Sequence, residues 1–202
     1  MSEYLTIAWP YIESAFAVAG GIGALFGLYF AIKRALFSKL TWRRTLRAAE
    51  ALLEGVEEDS WEPDLVMGLG RSGALWAGWL AGNLGSKPVF TIDRFFDEKD
   101  GVRVLSLPLS DVTLEIVRIK FGISPRILVV EGATSSGHGL SNFVSKVADV
   151  LPQADVRTAS IFVNAGASYL PTYVGVRNLS PWPEEFPWHL RRSYRRHMRT
   201  RR

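Results

Sequence analysis

Glu131 ends the apolar run 127–130 and opens a stretch of very small side chains: Gly132, Ala133, Thr134, Ser135, Ser136, Gly137, then His138 and Gly139. A carboxylate closing a buried strand, with almost no side chains after it, raises the question of its ligand, and the small residues suit an oxyanion held by the backbone. Small residues let N–H groups approach that anion closely, and a helix start adds its dipole. A second stretch of this kind, LVMGLGRSGAL at 65–75, sets Gly68, Gly70, Ser72 and Gly73 around one cation, Arg71. One such turn is commonplace. Two on one sheet, one with an arginine inside it, predict a ligand with two separate phosphate groups.

Strands and helices must hold these turns in place. The pattern predicts an amphipathic helix over 41–53, an acidic turn, a short strand at 64–70, and a helix over 72–85 stopped by Gly85. It continues with strands at 88–93 and 102–107, a mixed segment at 110–122, a strand at 126–131, a helix over 138–151 and a strand at 157–164. Strands alternating with helical patterns predict an α/β domain with a mainly parallel sheet and helices on both faces. In open sheets of this kind ligands bind outside the carboxyl ends of the strands, where both turns fall.

The 202 residues have room for one ordinary domain and an appendage. No cysteine is present, which excludes disulfides and thiolate metal sites. His189 and His197 have no partner at metal-ligand spacing, so no histidine metal site is expected. Asp93, Asp97, Glu98 and Asp100 could hold magnesium, but an acidic solvated loop or hood is the better reading. Thirteen of the 24 Lys and Arg residues lie in two flanks, six between Lys33 and Arg47 and seven from Arg191 to Arg202. The body between them keeps eleven basic residues against eighteen of the 20 acids. That acidic body argues against a nucleic-acid-binding domain.

The run AFAVAGGIGALFGLYFAI, 15–32, contains no charged residue and reaches the lower limit of a bilayer span. Trp9, Tyr11 and Tyr29 suit the interfaces, and the basic block that follows keeps its side of the membrane cytoplasmic by the positive-inside rule. The expectation is a single-pass anchor over 1–40 in an inner or cytoplasmic membrane, N-terminus out, followed by a cytoplasmic domain over 41–190. Ala19, Gly23, Gly27 and Ala31 fall four apart, giving the helix a small-residue face suited to self-association as a homo-oligomer. The arginine-rich tail, 191–202, suits anionic membrane lipid.

The two turns, in this order and at this separation, resemble the type I phosphoribosyltransferase family. There a strand–acid–acid–loop motif binds the ribose and 5′-phosphate of phosphoribosyl pyrophosphate (PRPP), and an earlier glycine-rich turn binds its pyrophosphate. VVEGATSSGHGL is similar to the first and GLGRSGAL to the second; YVGVRNLSPWPEEFPW, 173–188, resembles the tail of the xanthine/guanine-type members. The resemblance covers roughly 41–189. It implies that Gly68, Gly70, Arg71, Ser72 and Gly73 face pyrophosphate, and that Glu131 accepts from a ribose hydroxyl. It implies that Ser135, Ser136, Gly137, His138 and Gly139 wrap the 5′-phosphate, and that Mg²⁺ rides on the pyrophosphate. Arg71 and Glu131 would be the catalytic pair, and Trp182, Phe186 and Trp188 would stack on or wall off a base. His138 is expected to offer its N–H, with its imidazole toward solvent.

Three positions depart from the family pattern. Gly132 stands where a second acid is usual. Ser135 stands where hypoxanthine-type members carry an Asp that assists proton transfer. Gly139 stands where a Ser or Thr closes the phosphate loop. Losing one charge-assisted hydrogen bond costs about 1.5–3 kcal/mol. The sequence therefore supports a membrane-anchored phosphoribosyltransferase and, as alternatives, a catalytically degenerate PRPP or nucleotide sensor, or a defence- or toxin-type membrane effector.

Overall fold

The computed structural model describes residues 40–93, 95–99, 102–107, 110–180, 182–183 and 186–188. The expected membrane span, the arginine tail, Asp100, His189 and His197 lie outside the described residues. No helix among the described residues is long and apolar enough to cross a membrane.

Helix α1, Trp42–Glu57, is capped by Thr41, whose side chain accepts from the N–H of Arg44 at 3.3 Å. Thr45, Ala48, Ala49, Leu52 and Val56 recur every three or four residues and form its buried stripe. Strand β1, Leu65–Leu69, is buried at every position and runs at once into α2, Gly70–Asn83. Strand β2, Val89–Ile92, follows, then β3, Phe95–Lys99, and β4, Val102–Ser106. Helix α3, Ser110–Phe121, leads to β5, Arg126–Thr134, and helix α4, His138–Val150, leads to β6, Asp155–Asn164, and β7, Tyr173–Leu179.

Five strands form one sheet in the order β2-β1-β5-β6-β7, and all of its pairings are parallel. One face packs α1, α2 and the C-terminal aromatics against Val66, Leu128, Val130 and Ile161. The other packs Leu114 and Val117 of α3 and Leu140, Phe143 and Val147 of α4 against Leu65, Met67, Ile127 and Val129. Alternate residues of β1 and β5 thus feed opposite layers, which is why both strands read as unbroken apolar runs. Each large apolar side chain fully buried here contributes about 1.5–3 kcal/mol. On the first face the approach is very close: a Cβ on Gly175 would lie 2.1 Å from the carbonyl oxygen of Ala48, so glycine lets α1 rest on β7.

The structure differs from the sequence reading in several boundaries. The mixed segment 110–122 is a regular helix. The expected loop around Asp97 and Glu98 is strand β3, paired antiparallel with β4 in a hairpin apart from the main sheet. Strand β5 runs past Glu131 to Thr134, because Ala133 and Thr134 still pair with Phe162 and Val163 of β6. Strand β7, the edge of the sheet, falls within a stretch that the sequence presented only as a family-like tail.

Candidate functional site

The chain leaves β1 toward β2 on one side, whereas β5 is followed outward by β6 and β7 on the other. The carboxyl ends of β1 and β5 therefore flank the point where the strand order reverses, the place where sheets of this kind open a crevice. Both small-residue turns meet there.

The turn from β1 into α2 is built by absence of side chains. A Cβ on Gly68 would lie 2.6 Å from Ala74 Cα, and one on Gly73 would lie 2.4 Å from the carbonyl oxygen of Val130. Strand β1, the first turn of α2 and strand β5 thus touch backbone to backbone. Gly70 begins α2 at φ 66°, a left-handed conformation that costs glycine little. Arg71 is exposed on this first turn, and none of the ion pairs among the described residues uses it. Ser72 turns toward β5.

The turn from β5 into α4 is looser. Ser135, Ser136 and His138 are exposed, Gly139 is half-buried, and Gly137 is buried at φ 86° against Tyr169. The carbonyl of Ser136 accepts from Ser168 N at 3.0 Å, Ser168 Oγ at 2.9 Å and Tyr169 N at 3.3 Å. The segment after β6 thereby fixes the turn from behind. The N–H of His138 lies 3.4 Å from Ser136 Oγ, and its side chain is exposed, as the sequence led one to expect.

Glu131 is 3% exposed, on the floor between the turns. The Thr134 hydroxyl donates to its Oε2 at 2.8 Å and lies 3.0 Å from Ser160 Oγ, which itself donates to the carbonyl of Phe162 at 2.9 Å. Thr134 and Ser160 are site residues that the sequence reading missed. The available signal was a threonine three residues after the acid, at the end of a strand that is apolar between Arg126 and Glu131.

Gly132 has a steric reason. A Cβ there would lie 2.6 Å from Ser72 Cβ and 3.1 Å from Trp76 Cδ1. The space a second carboxylate would need is filled by the first turn of α2. Trp76 is 2% exposed, and its indole N–H has no hydrogen-bond partner among the described residues. Its ring meets Trp188 edge to face at 5.9 Å, while Trp188 stacks on Phe186 at 4.8 Å. Trp182, Phe186 and Trp188 are thus placed against the sheet face that carries α1 and α2, where they join the core rather than stand free as a platform.

The helix starts divide in the same way. Helix α1 has a side-chain cap, whereas neither α2 nor α4 donates a backbone N–H to the side chain of its N-cap residue. Two uncapped helix N-termini at one crevice present N–H groups and positive dipole ends to an anion. The described residues hold no group of three or more His, Cys, Asp or Glu suited to a metal.

Among solved structures, a purine phosphoribosyltransferase from Pyrococcus horikoshii superposes with a TM-score of 0.56 at 26% identity, over 75% of this chain and 97% of that one. The xanthine-guanine-hypoxanthine phosphoribosyltransferase of Helicobacter pylori gives 0.61 at 18% identity, over 79% and 96%. The fold is that of a type I phosphoribosyltransferase. A Neisseria gonorrhoeae protein solved with bound ppGpp shares this phosphoribosyltransferase-like fold, at 0.60 and 18% identity over 81% and 96%. No family model matches the chain, and no curated protein matches it in sequence.

Proposed function

We propose that the crevice between the β1–α2 and β5–α4 turns binds PRPP and that the chain transfers its phosphoribosyl group to a nucleobase. The observation that carries this reading is the pairing of two uncapped helix starts at the reversal point of the sheet, with Arg71 on one and a buried carboxylate between them. The 5′-phosphate would sit on the N–H groups of 136–139, and the pyrophosphate on those of 70–73 with the Arg71 guanidinium. Glu131, held by Thr134, would orient a ribose hydroxyl. The chain's work is then positioning, and charge stabilisation as the bond from the anomeric carbon to pyrophosphate breaks. Bound magnesium would neutralise part of the charge on that leaving group. The apolar run 15–32 and its basic flank support a membrane-anchored protein with this domain on the cytoplasmic side, and the small-residue face of that run supports association within the membrane.

Gly132 favours a second reading, a module that binds a phosphorylated nucleoside without turnover. With Ser72 filling the place of a second acid, one ribose contact is missing, while both anion cradles remain. A structural neighbour holding ppGpp is consistent with it. The full-length chain is to be titrated with PRPP and Mg²⁺, then assayed for pyrophosphate release over a panel of purine and pyrimidine bases. Release with any base establishes the transferase reading. Binding without release on every base supports the module, and no binding at millimolar PRPP or ppGpp overturns both.

A further inference from the structure

Helix α3 carries an apolar stripe on the side it turns away from its own domain. Leu114 and Val117 are fully buried against the sheet, yet Val112 is 57%, Ile116 47% and Ile119 77% exposed. At about 100° per residue these three fall within about 60° of arc, opposite the buried pair. Ile123, just past the helix end, adds a fourth exposed apolar side chain. The spacing of four and then three is that of d, a and d positions in a heptad. That register puts Glu115 at g and Lys120 at e, on opposite edges of the stripe.

We propose that α3 pairs in parallel with α3 of a second copy of this chain. In a parallel two-stranded arrangement a g residue meets the e residue five positions on in the partner. Glu115 of each copy then faces Lys120 of the other, so the surface complements itself in both shape and charge. An antiparallel pair would instead set Lys120 beside the partner's Thr113 and leave Glu115 opposite Gly122, with no opposite charges in contact. The Glu115 carboxylate is already held at this edge by Arg118, at 2.5 and 2.8 Å. Asp111 is drawn aside to Lys146 of α4 at 2.6 Å and stays clear of the seam. Three turns of helix make a seam well below the ~1,600 Å² of a standard interface, so the dimer is expected to dissociate at roughly 1–100 µM.

The chain has no cysteine, so introduced thiols report without background. Full-length Val112→Cys and Ile119→Cys proteins, in mild detergent under oxidising conditions, are each expected to form a disulfide homodimer. A mixture of tagged Val112→Cys with untagged Ile119→Cys is expected to give no mixed dimer, since those positions lie about 10 Å apart along a parallel seam. By sedimentation, Glu115→Lys and Lys120→Glu are each expected to weaken self-association about five- to tenfold, and the two together to restore it. Mixed 112–119 disulfides would overturn the proposal, because a parallel seam keeps those positions apart. Absence of either homodimer would overturn it in favour of another cover for the stripe, such as lipid or the chain's own apolar segment. A double charge reversal no better than the single ones would overturn it as well.

Discussion

The two ends of the parallel sheet solve opposite problems. At the amino end the starts of β1, β5, β6 and β7 are tied. The N–H of Arg126 donates to Asp64 Oδ2 at 2.8 Å, and its guanidinium to Oδ1 at 2.9 Å. Arg157 pairs with Asp59, donates to the Tyr173 hydroxyl at 2.7 Å and lies over the Trp61 ring at 4.7 Å. Trp61 in turn donates to Asp155 at 2.6 Å. At the carboxyl end the chain places glycines, exposed serines, uncapped helix starts and an arginine outside any ion pair among the described residues. Polar groups at one end are satisfied by the protein and hold it together. At the other end Glu131 and the Ser136 carbonyl are also held by the protein, while Arg71, Ser135 and His138 stay exposed, which the proposed function assigns to a ligand. Substitutions at the two ends should therefore separate stability from binding.

The largest expected effect breaks that division. Gly132 lies at the carboxyl end, yet Gly132→Asp, which puts a second acid where the phosphoribosyltransferase pattern has one, should act on stability. Its Cβ would meet Ser72 and Trp76, and a carboxylate would enter a buried place with no matched cation. A loss of about 3 kcal/mol or more is expected, read as a lower urea midpoint, together with weaker PRPP binding. A variant that kept wild-type stability and gained activity would show that α2 yields easily and that the glycine is a lost function. Next in size is Arg71→Ala, which tests the division where it should hold. PRPP affinity is expected to fall about ten- to a hundredfold, with the melting temperature unchanged. Equal losses of both would return Arg71 to the structural class.

The sheet and both turns were legible because their signals are local. Short apolar runs that give way to glycines and other small residues can be read without knowing what they pack on. Four things were not legible, each for a physical reason. The reason for Gly132 lies in Ser72, sixty residues away, and only the packing of α2 on β5 brings the two together. The hold of Thr134 and Ser160 on Glu131 depends on the β5–β6 register, which pairs Glu131 with Ser160. The tail aromatics resemble a base platform in sequence, but Trp188 stacks on Phe162 and meets Trp76 edge to face, which places it against the core. Strand β7 was hidden because Gly175 and the exposed Arg177 and Asn178 break the apolar run, a pattern that suits an edge strand beneath a helix.

At the amino end, Asp59→Ala removes an acceptor shared by Arg157 and the Tyr173 hydroxyl, both partly shielded. A loss of about 1–2 kcal/mol in urea unfolding is expected, with PRPP affinity unchanged. Weaker binding from this variant would show that the two ends communicate through β6.

The smallest effect is also the most specific in sign. The Arg126 guanidinium, hydrogen-bonded to Asp64, holds that carboxyl below its ordinary value near 3.8, against the opposing pull of partial burial. A carboxyl with a lower folded than unfolded pKa stabilises the protein above the unfolded value. That stabilisation disappears as the pH falls through the folded one. Asp64→Asn should therefore be less stable than the parent near neutral pH, and the difference should shrink to nothing in acid below both values. Since both partners are more than a third exposed, the difference at neutral pH should stay well under 1 kcal/mol and diminish in added salt. A gap that persisted in acid would assign the effect of Asp64 to its backbone contact with the Arg126 N–H rather than to charge, making the amino end a hydrogen-bonded seam more than an electrostatic one.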